Sequence, residues 1–185
     1  MNISEPQRYL GAVDVEALSQ CILSQDVYAW KEQLNRQQSY EVHKDTESIV
    51  MLFCDETWPD GDVHREVGWE RIANQAMPLI NDIIETYYNP GGIVLRAMAA
   101  KLKSGGRISP HTDALQSFHM GHRIHVPITT NEAVRFMIEG KPYKFEVGHA
   151  YEINNQKTHS VMNMSKEDRI SFIFDYVPPD LIKNI

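Results

Sequence analysis

Residues 169–177 read RISFIFDYV, and this stretch decides the fold. In an extended chain successive side chains point to opposite faces. Arg169, Ser171, Ile173 and Asp175 then share one face, while Ile170, Phe172, Phe174 and Tyr176 share the other. Apolar and aromatic residues on one face and mostly polar ones on the other give the two-sided patterning of a sandwich strand. Working back from it, short β-rich runs recur: IVLRAMAAKL (93–102), ISPHTD (108–113), RIHVPITT (123–130), AVRFMI (133–138), KFEV (144–147) and GHAYEI (148–153). Turn signals such as KSGGR (103–107) and EGKPY (139–143) separate them. Spacing of about 8–12 residues points to an antiparallel sandwich or barrel and away from βαβ units. The class expected is mainly β with N-terminal helices, around a double-stranded beta-helix, the cupin-like jelly roll.

Upstream the pattern changes period. Val15, Leu18 and Ile22, then Val27, Trp30 and Leu34, make a helical stripe over residues 13–38, with Ser24 as a possible cap. SIVMLFCDE (48–56) reads as a strand and TWPDGD (57–62) as a turn. Ile72, Ala76, Ile80, Ile83, Ile84 and Tyr87 predict a second helix over 69–88, in which Pro78 should make a kink or mark the first turn, and which NPGG (89–92) should stop. The whole chain, 1–185, reads as one domain: a helical and strand part (1–91) packing on a jelly-roll catalytic core (92–178). A chain of this length buries roughly 70% of its unfolded surface and needs no disulfide or structural metal. Cys21 and Cys54 have no zinc or redox spacing and read as buried thiols.

The composition, 42% hydrophobic and 23% charged, is that of an ordinary globule. A net charge of −7 gives a nucleic-acid partner little electrostatic support. No apolar run is long enough to span a membrane, and the start, MNISEPQRYLGAVDVEA, lacks a basic region followed by an apolar core. The expectation is a cytoplasmic protein with a small-molecule partner; oligomeric state is not legible.

Four of the eight histidines crowd into residues 109–128. Of these, His111 lies two residues from Asp113 in an extended segment, so both side chains share a face, about 6.6 Å apart along the strand. His159, in NQKTHSVMN, supplies a third candidate ligand from a later strand. Two imidazoles and one carboxylate on one side of an ion form the facial set of non-haem Fe(II) oxygenases. Ten residues beyond His159 stands Arg169, with Ser171 beside it on the same face. An inward arginine in a β core needs a partner, and a dicarboxylate cosubstrate offers one through a bidentate fork. The spacing of His119, His122 and His125 would suit zinc on a helix, but Gly121 breaks the segment and RIHVPI is a strand, so the three should diverge. His119 and His122 read as loop residues, and His43, His64 and His149 as surface or turn residues. Trp58 is read either as a lid or, by preference, as packing; Arg96 either as a cavity anchor or as a surface or core-edge residue.

Taken together, LKSGGRISPHTD (102–113), HRIHVPI (122–128) and HSVMNMSKEDRISFIFD (159–175) resemble the Fe(II)- and 2-oxoglutarate-dependent oxygenases. More narrowly, they resemble the aspartyl/asparaginyl β-hydroxylase-like group, which includes free-proline hydroxylases. The resemblance implies Fe(II) held by His111, Asp113 and His159, and 2-oxoglutarate held at its distal carboxylate by Arg169 with help from Ser171. It also implies that Arg123 and His125 help hold the cosubstrate, and that O2 is consumed in hydroxylating a C–H bond of an amino acid or peptide side chain. The peptide hydroxylases of the group lack the ligand carboxylate, so Asp113 sets this chain nearer the free amino acid hydroxylases. The competing reading is a non-catalytic cupin-like module binding a metal or small molecule. Such a module has no need of a buried carboxylate anchor at Arg169.

Overall fold

The computed structural model describes residues 3–32 and 44–183. His43 and the last part of the expected first helix, Leu34 included, lie outside the described residues. In chain order the elements are β1 (Gln7–Ala12), α1 (Glu16–Leu23), α2 (Val27–Lys31), β2 (Thr46–Cys54), β3 (Val63–Arg65) and α3 (Gly68–Tyr87). Then come β4 (Ile93–Leu102), β5 (Arg107–His111), α4 (Gln116–Met120), β6 (His122–Thr129), β7 (Val134–Ile138) and β8 (Lys141–Tyr143). The chain closes with β9 (His149–Ile153), β10 (His159–Asn163), β11 (Arg169–Val177) and α5 (Pro179–Ile182). Two antiparallel sheets face each other, one in the order β1-β9-β6-β11-β4-β2-β3 and one in the order β5-β10-β7-β8. This is the expected jelly roll.

The alternation of β11 partitions the interior as its sequence requires. Ile170, Phe172, Phe174 and Tyr176 join Leu18 and Ile22 of α1 and Ile72, Ile80 and Ile83 of α3 in one apolar cluster on the outer side of the large sheet. On the side facing the small sheet, Tyr151, Ile153, Phe136, Ile138 and Val161 form a second cluster. At roughly 25 cal/mol per Å² of apolar surface removed from water, burial of the outer cluster is what holds the helices to the sheet. The polar members of the β11 inner face, Arg169, Ser171 and Asp175, are buried as well.

Several expected elements differ in the structure. The stripe over 13–38 is interrupted: Ser24 ends α1, and the second helix is capped by Asp26, whose carboxylate accepts from the backbone N–H groups of Tyr28 and Ala29. Val27 consequently points outward, more than half exposed. The helix α3 runs unbroken through Pro78. Pro78 and Asn74 lie on its exposed side, so the Asn74 carbonyl that loses its helical donor faces water. The turn placed at EGKPY is tighter. Glu139 and Gly140, with φ of 50° and 75°, form the whole hairpin turn between β7 and β8. The run KFEV therefore falls after β8 and outside any strand, although its Phe145 is buried against Phe136 and Tyr151.

Residues upstream of 92 also do more than pack on the jelly roll, since β1, β2 and β3 are strands of the large sheet itself. At one edge β1 is tied down by charge. Glu152 of β9 is wholly buried and receives Arg8 at 2.7 Å, the Tyr88 hydroxyl at 2.9 Å and His122 Nδ1 at 2.5 Å. Trp58 is packed with Cys54, Leu95 and Val177, so its role is structural. Cys54 is buried and Cys21 half-buried, its thiol donating to the Arg71 carbonyl.

Candidate active site

The fold brings His111, Asp113 and His159 together from two ends of sequence. His111 closes β5, and His159 opens β10 directly opposite it in the antiparallel ladder. Asp113 lies just past the end of β5, where its backbone N–H donates to the Asn155 carbonyl and its own carbonyl accepts from Gln156 Nε2. The potential ligand atoms of the three side chains all lie within 4.8 Å of one another. Each imidazole is oriented by the backbone: Nδ1 of His111 donates to the Ser109 carbonyl at 2.8 Å, and Nδ1 of His159 to the Lys157 carbonyl at 3.0 Å. A carbonyl can only accept, so each Nδ1 carries the proton and each Nε2 keeps the lone pair a metal needs. Burial lowers the His159 pKa, and the neighbouring His111 lowers it further against the pull of Asp113, which favours the neutral, ligating form.

A cavity between the sheets is lined by His111, His159, His125, Phe136 and Arg169. His125 is buried edge-on against Phe136. Arg169 is 4% exposed, and its Nε has no hydrogen-bond partner among the described residues. Burial alone acts on its guanidinium and pushes the pKa down to about 10. The Ser171 hydroxyl beside it is fully buried and likewise lacks a partner. A buried cation without a counter-charge is costly unless a ligand supplies one. The donor set of His111, Asp113 and His159 thus suits a divalent transition metal, and the orphaned donors of Arg169 and Ser171 suit a carboxylate.

The remaining candidates are placed as follows. Arg123 stands on β6 beside the metal site, but its guanidinium is committed to carboxylates: Nε and Nη2 donate to Asp175 at 2.8 Å each, and Nη1 lies 2.8 Å from Asp113 Oδ2. Arg96, expected at the surface, at the core edge or in the cavity, is instead completely buried behind Asp175, with Nη2 donating to the Ser117 hydroxyl. His119 is exposed on α4, and His122, expected in a loop, opens β6 and turns to Glu152 on the other face of the sheet. His64 is exposed beside Asp55, and His149 is half-buried against the Tyr9 ring. Sequence reasoning missed Asp175. Its signal was a carboxylate on the inner face of RISFIFDYV, where an unpaired charge could not be buried.

The jelly roll thus encloses a two-histidine, one-carboxylate cluster that could hold a metal ion, and an arginine with no partner among the described residues. The family model for the aspartyl/asparaginyl beta-hydroxylases matches residues 21–179, and the chain belongs to that family. A search of curated proteins finds no significant match. Among solved structures the chain is similar to a 2OG-Fe(II) oxygenase-family oxidoreductase from Burkholderia pseudomallei. The two are 12% identical over 71% of this chain and 67% of that one, with a TM-score of 0.50. It is also similar to a non-heme monooxygenase, ThoJ, in a nickel complex (15% identity, 95% and 75% coverage, TM-score 0.55). A third is a viral collagen prolyl hydroxylase from Paramecium bursaria Chlorella virus-1 in its 2OG complex (10% identity, 95% and 97% coverage, TM-score 0.54). At these identities the likeness is one of fold. No helix among the described residues is long and apolar enough to cross a membrane.

Proposed function

We propose that the chain is an Fe(II)- and 2-oxoglutarate-dependent dioxygenase that hydroxylates a C–H bond of an amino acid or peptide side chain. The observation that carries this reading is Arg169: a buried guanidinium with no partner among the described residues, lining the same cavity as His111 and His159, which cluster with Asp113. A plain metal-binding module has no use for that arginine, whereas a dicarboxylate cosubstrate reaching from metal to guanidinium answers both ends at once. Membership of a hydroxylase family supports the same class of reaction.

In this reading His111, Asp113 and His159 hold the metal, and Arg169 and Ser171 bind the distal carboxylate of 2-oxoglutarate. His125 and Phe136 line the passage between, where they exclude water and set the width available to the cosubstrate. Bound iron, with O2 and 2-oxoglutarate, supplies the oxidising power to convert C–H to C–OH, the cosubstrate leaving as succinate and carbon dioxide. The protein contributes orientation. Two backbone-anchored imidazoles and a clamped carboxylate would hold the ion and leave its remaining positions for cosubstrate and oxygen.

The test is anaerobic titration of the protein with Fe(II) and then 2-oxoglutarate, following the visible charge-transfer absorption. The band should appear with the parent, and succinate release should follow on admitting O2 with a suitable amino acid or peptide. Iron binding without the band would favour the binding-module reading. If no iron binds, the triad assignment is wrong.

A further inference from the structure

We propose that Asp175 is a positioning residue for the metal-binding carboxylate, acting through Arg123 to hold Asp113 with one oxygen free for the ion. The proposal rests on the metal assignment made above. Its basis is a row of charges across three adjacent strands of the large sheet. Asp175 of β11 stands opposite Arg123 of β6 on one side and opposite Arg96 of β4 on the other. All three residues are buried.

The geometry runs in one direction. At its far end Arg96 is held by the Ser117 hydroxyl at 2.8 Å and lies over the Phe118 ring, 4.1 Å from its centroid. Arg96 Nη1 reaches Asp175 Oδ2 at 3.4 Å, and Arg123 takes both Asp175 oxygens in a fork. With Nε and Nη2 fixed, the plane of the Arg123 guanidinium is set, and Nη1 can meet Asp113 from one side only. It does so at Oδ2, as an ion pair and not as an aligned hydrogen bond. The other oxygen, Oδ1, lies 3.7 Å from His111 Nε2, within the ligand cluster. Asp175 is therefore no spare ligand, since its oxygens are occupied by two arginines.

The charges explain why the carboxylate at 175 matters. Arg96 and Arg123 against Asp175 leave one positive charge over, and Asp113 neutralises it. Without the Asp175 charge, two buried arginines would face one carboxylate. Arg123, released from its fork, would be free to turn both of its terminal nitrogens onto Asp113 and compete with the ion for Oδ1. Loss of groups that orient a ligand typically costs about 10–100-fold in metal affinity.

The experiment compares metal binding by the parent, Asp175→Asn and Glu152→Gln, using anaerobic Fe(II) titration and the ligand-field spectrum of the Co(II)-loaded protein. Asn keeps the size of Asp and removes the charge. Glu152→Gln is the control: it opens another ion network built on a wholly buried carboxylate of the same sheet, on the outer face. The expected result is a 10–100-fold weaker Fe(II) affinity and an altered Co(II) spectrum for Asp175→Asn, with both readings unchanged for a folded Glu152→Gln. A folded Asp175→Asn with parental affinity and spectrum overturns the proposal, as does an equal loss in Glu152→Gln. Should Asp175→Asn fail to fold, Arg123→Lys decides on the same two readings, because an ammonium cannot fork Asp175 and reach Asp113 together; unchanged readings there overturn it. Failure of the parent itself to bind iron is a separate outcome that removes the functional assignment.

Discussion

Replacing Arg169 with methionine should make the ligand-free protein more stable while destroying its response to 2-oxoglutarate. The guanidinium is 4% exposed, with an Nε orphaned among the described residues, and burial alone pushes its pKa down to about 10, well below the usual arginine value. At about 1.4 kcal/mol per pH unit, that depression corresponds to about 3 kcal/mol of folding free energy lost to the buried charge. A cation whose pKa is lower folded than unfolded costs this amount at every pH below about 10, and the cost fades only as pH rises through 10 toward the higher unfolded value. Methionine keeps an unbranched apolar stem in the same space and removes the charge. For a domain of this size the gain converts to roughly 6–12 °C in Tm at neutral pH. In the parent, 2-oxoglutarate added with Mn(II) should raise Tm, because a ligand that binds only the folded state stabilises it. In the variant the loss of two charge-assisted hydrogen bonds, at about 1.5–3 kcal/mol each, removes that rise at millimolar cosubstrate. Thermal melts of both proteins, with and without Mn(II) and 2-oxoglutarate, read both effects. A variant that melts below the parent and still gains from 2-oxoglutarate would refute the argument, since Arg169 would then be a satisfied structural residue.

Other outcomes follow from the same geometry. His111→Ala and His159→Ala should each abolish Fe(II) binding in anaerobic titration while leaving the far-ultraviolet dichroism unchanged, because both residues end strands and neither belongs to an apolar cluster. Glu47 is pushed up by burial, but its contacts with Lys101 at 3.0 Å and Lys103 at 3.5 Å outweigh that and hold its pKa below the usual carboxylate range. Its stabilising contribution is thus present above the ordinary glutamate pKa and lost as pH falls through the lower folded value. Denaturant titrations from pH 6 down to pH 3 should show a shallower stability loss in Glu47→Gln than in the parent. Gly68→Ala should cost about 1–3 kcal/mol in urea unfolding, because a Cβ there would overlap the Val50 carbonyl and come within 2.9 Å of the Ile49 side chain where α3 starts against β2.

The β11 pattern, the short-strand spacing and the apolar stripe of α3 were all legible, because period 2 and period 3.6 are local properties that burial on one face imposes residue by residue. So was the convergence of His111 with Asp113, since a two-residue spacing in an extended segment carries its own geometry. Elements whose reason for forming lies elsewhere in the chain were not legible. β1 carries only one buried residue, Leu10, and pairs with a strand more than 130 residues away. β3 is three residues long and exists because β2 offers it an edge. Pro78 is tolerated because of which way its side of the helix faces.

The sequence by itself determined the two faces of each long strand, the jelly-roll class and the candidate ligands, since these follow from side-chain alternation and donor chemistry within a few residues. Only the tertiary structure decided that Arg169 is orphaned while Arg123 and Arg96 are not. All three are arginines on strands with similar neighbours. What separates them is register, which sets Asp175 between Arg123 and Arg96 and, among the described residues, brings no carboxylate to Arg169. A buried charge is stabilised or left waiting by whatever lies across the ladder, and that neighbour is chosen by strand pairing between residues far apart in the chain.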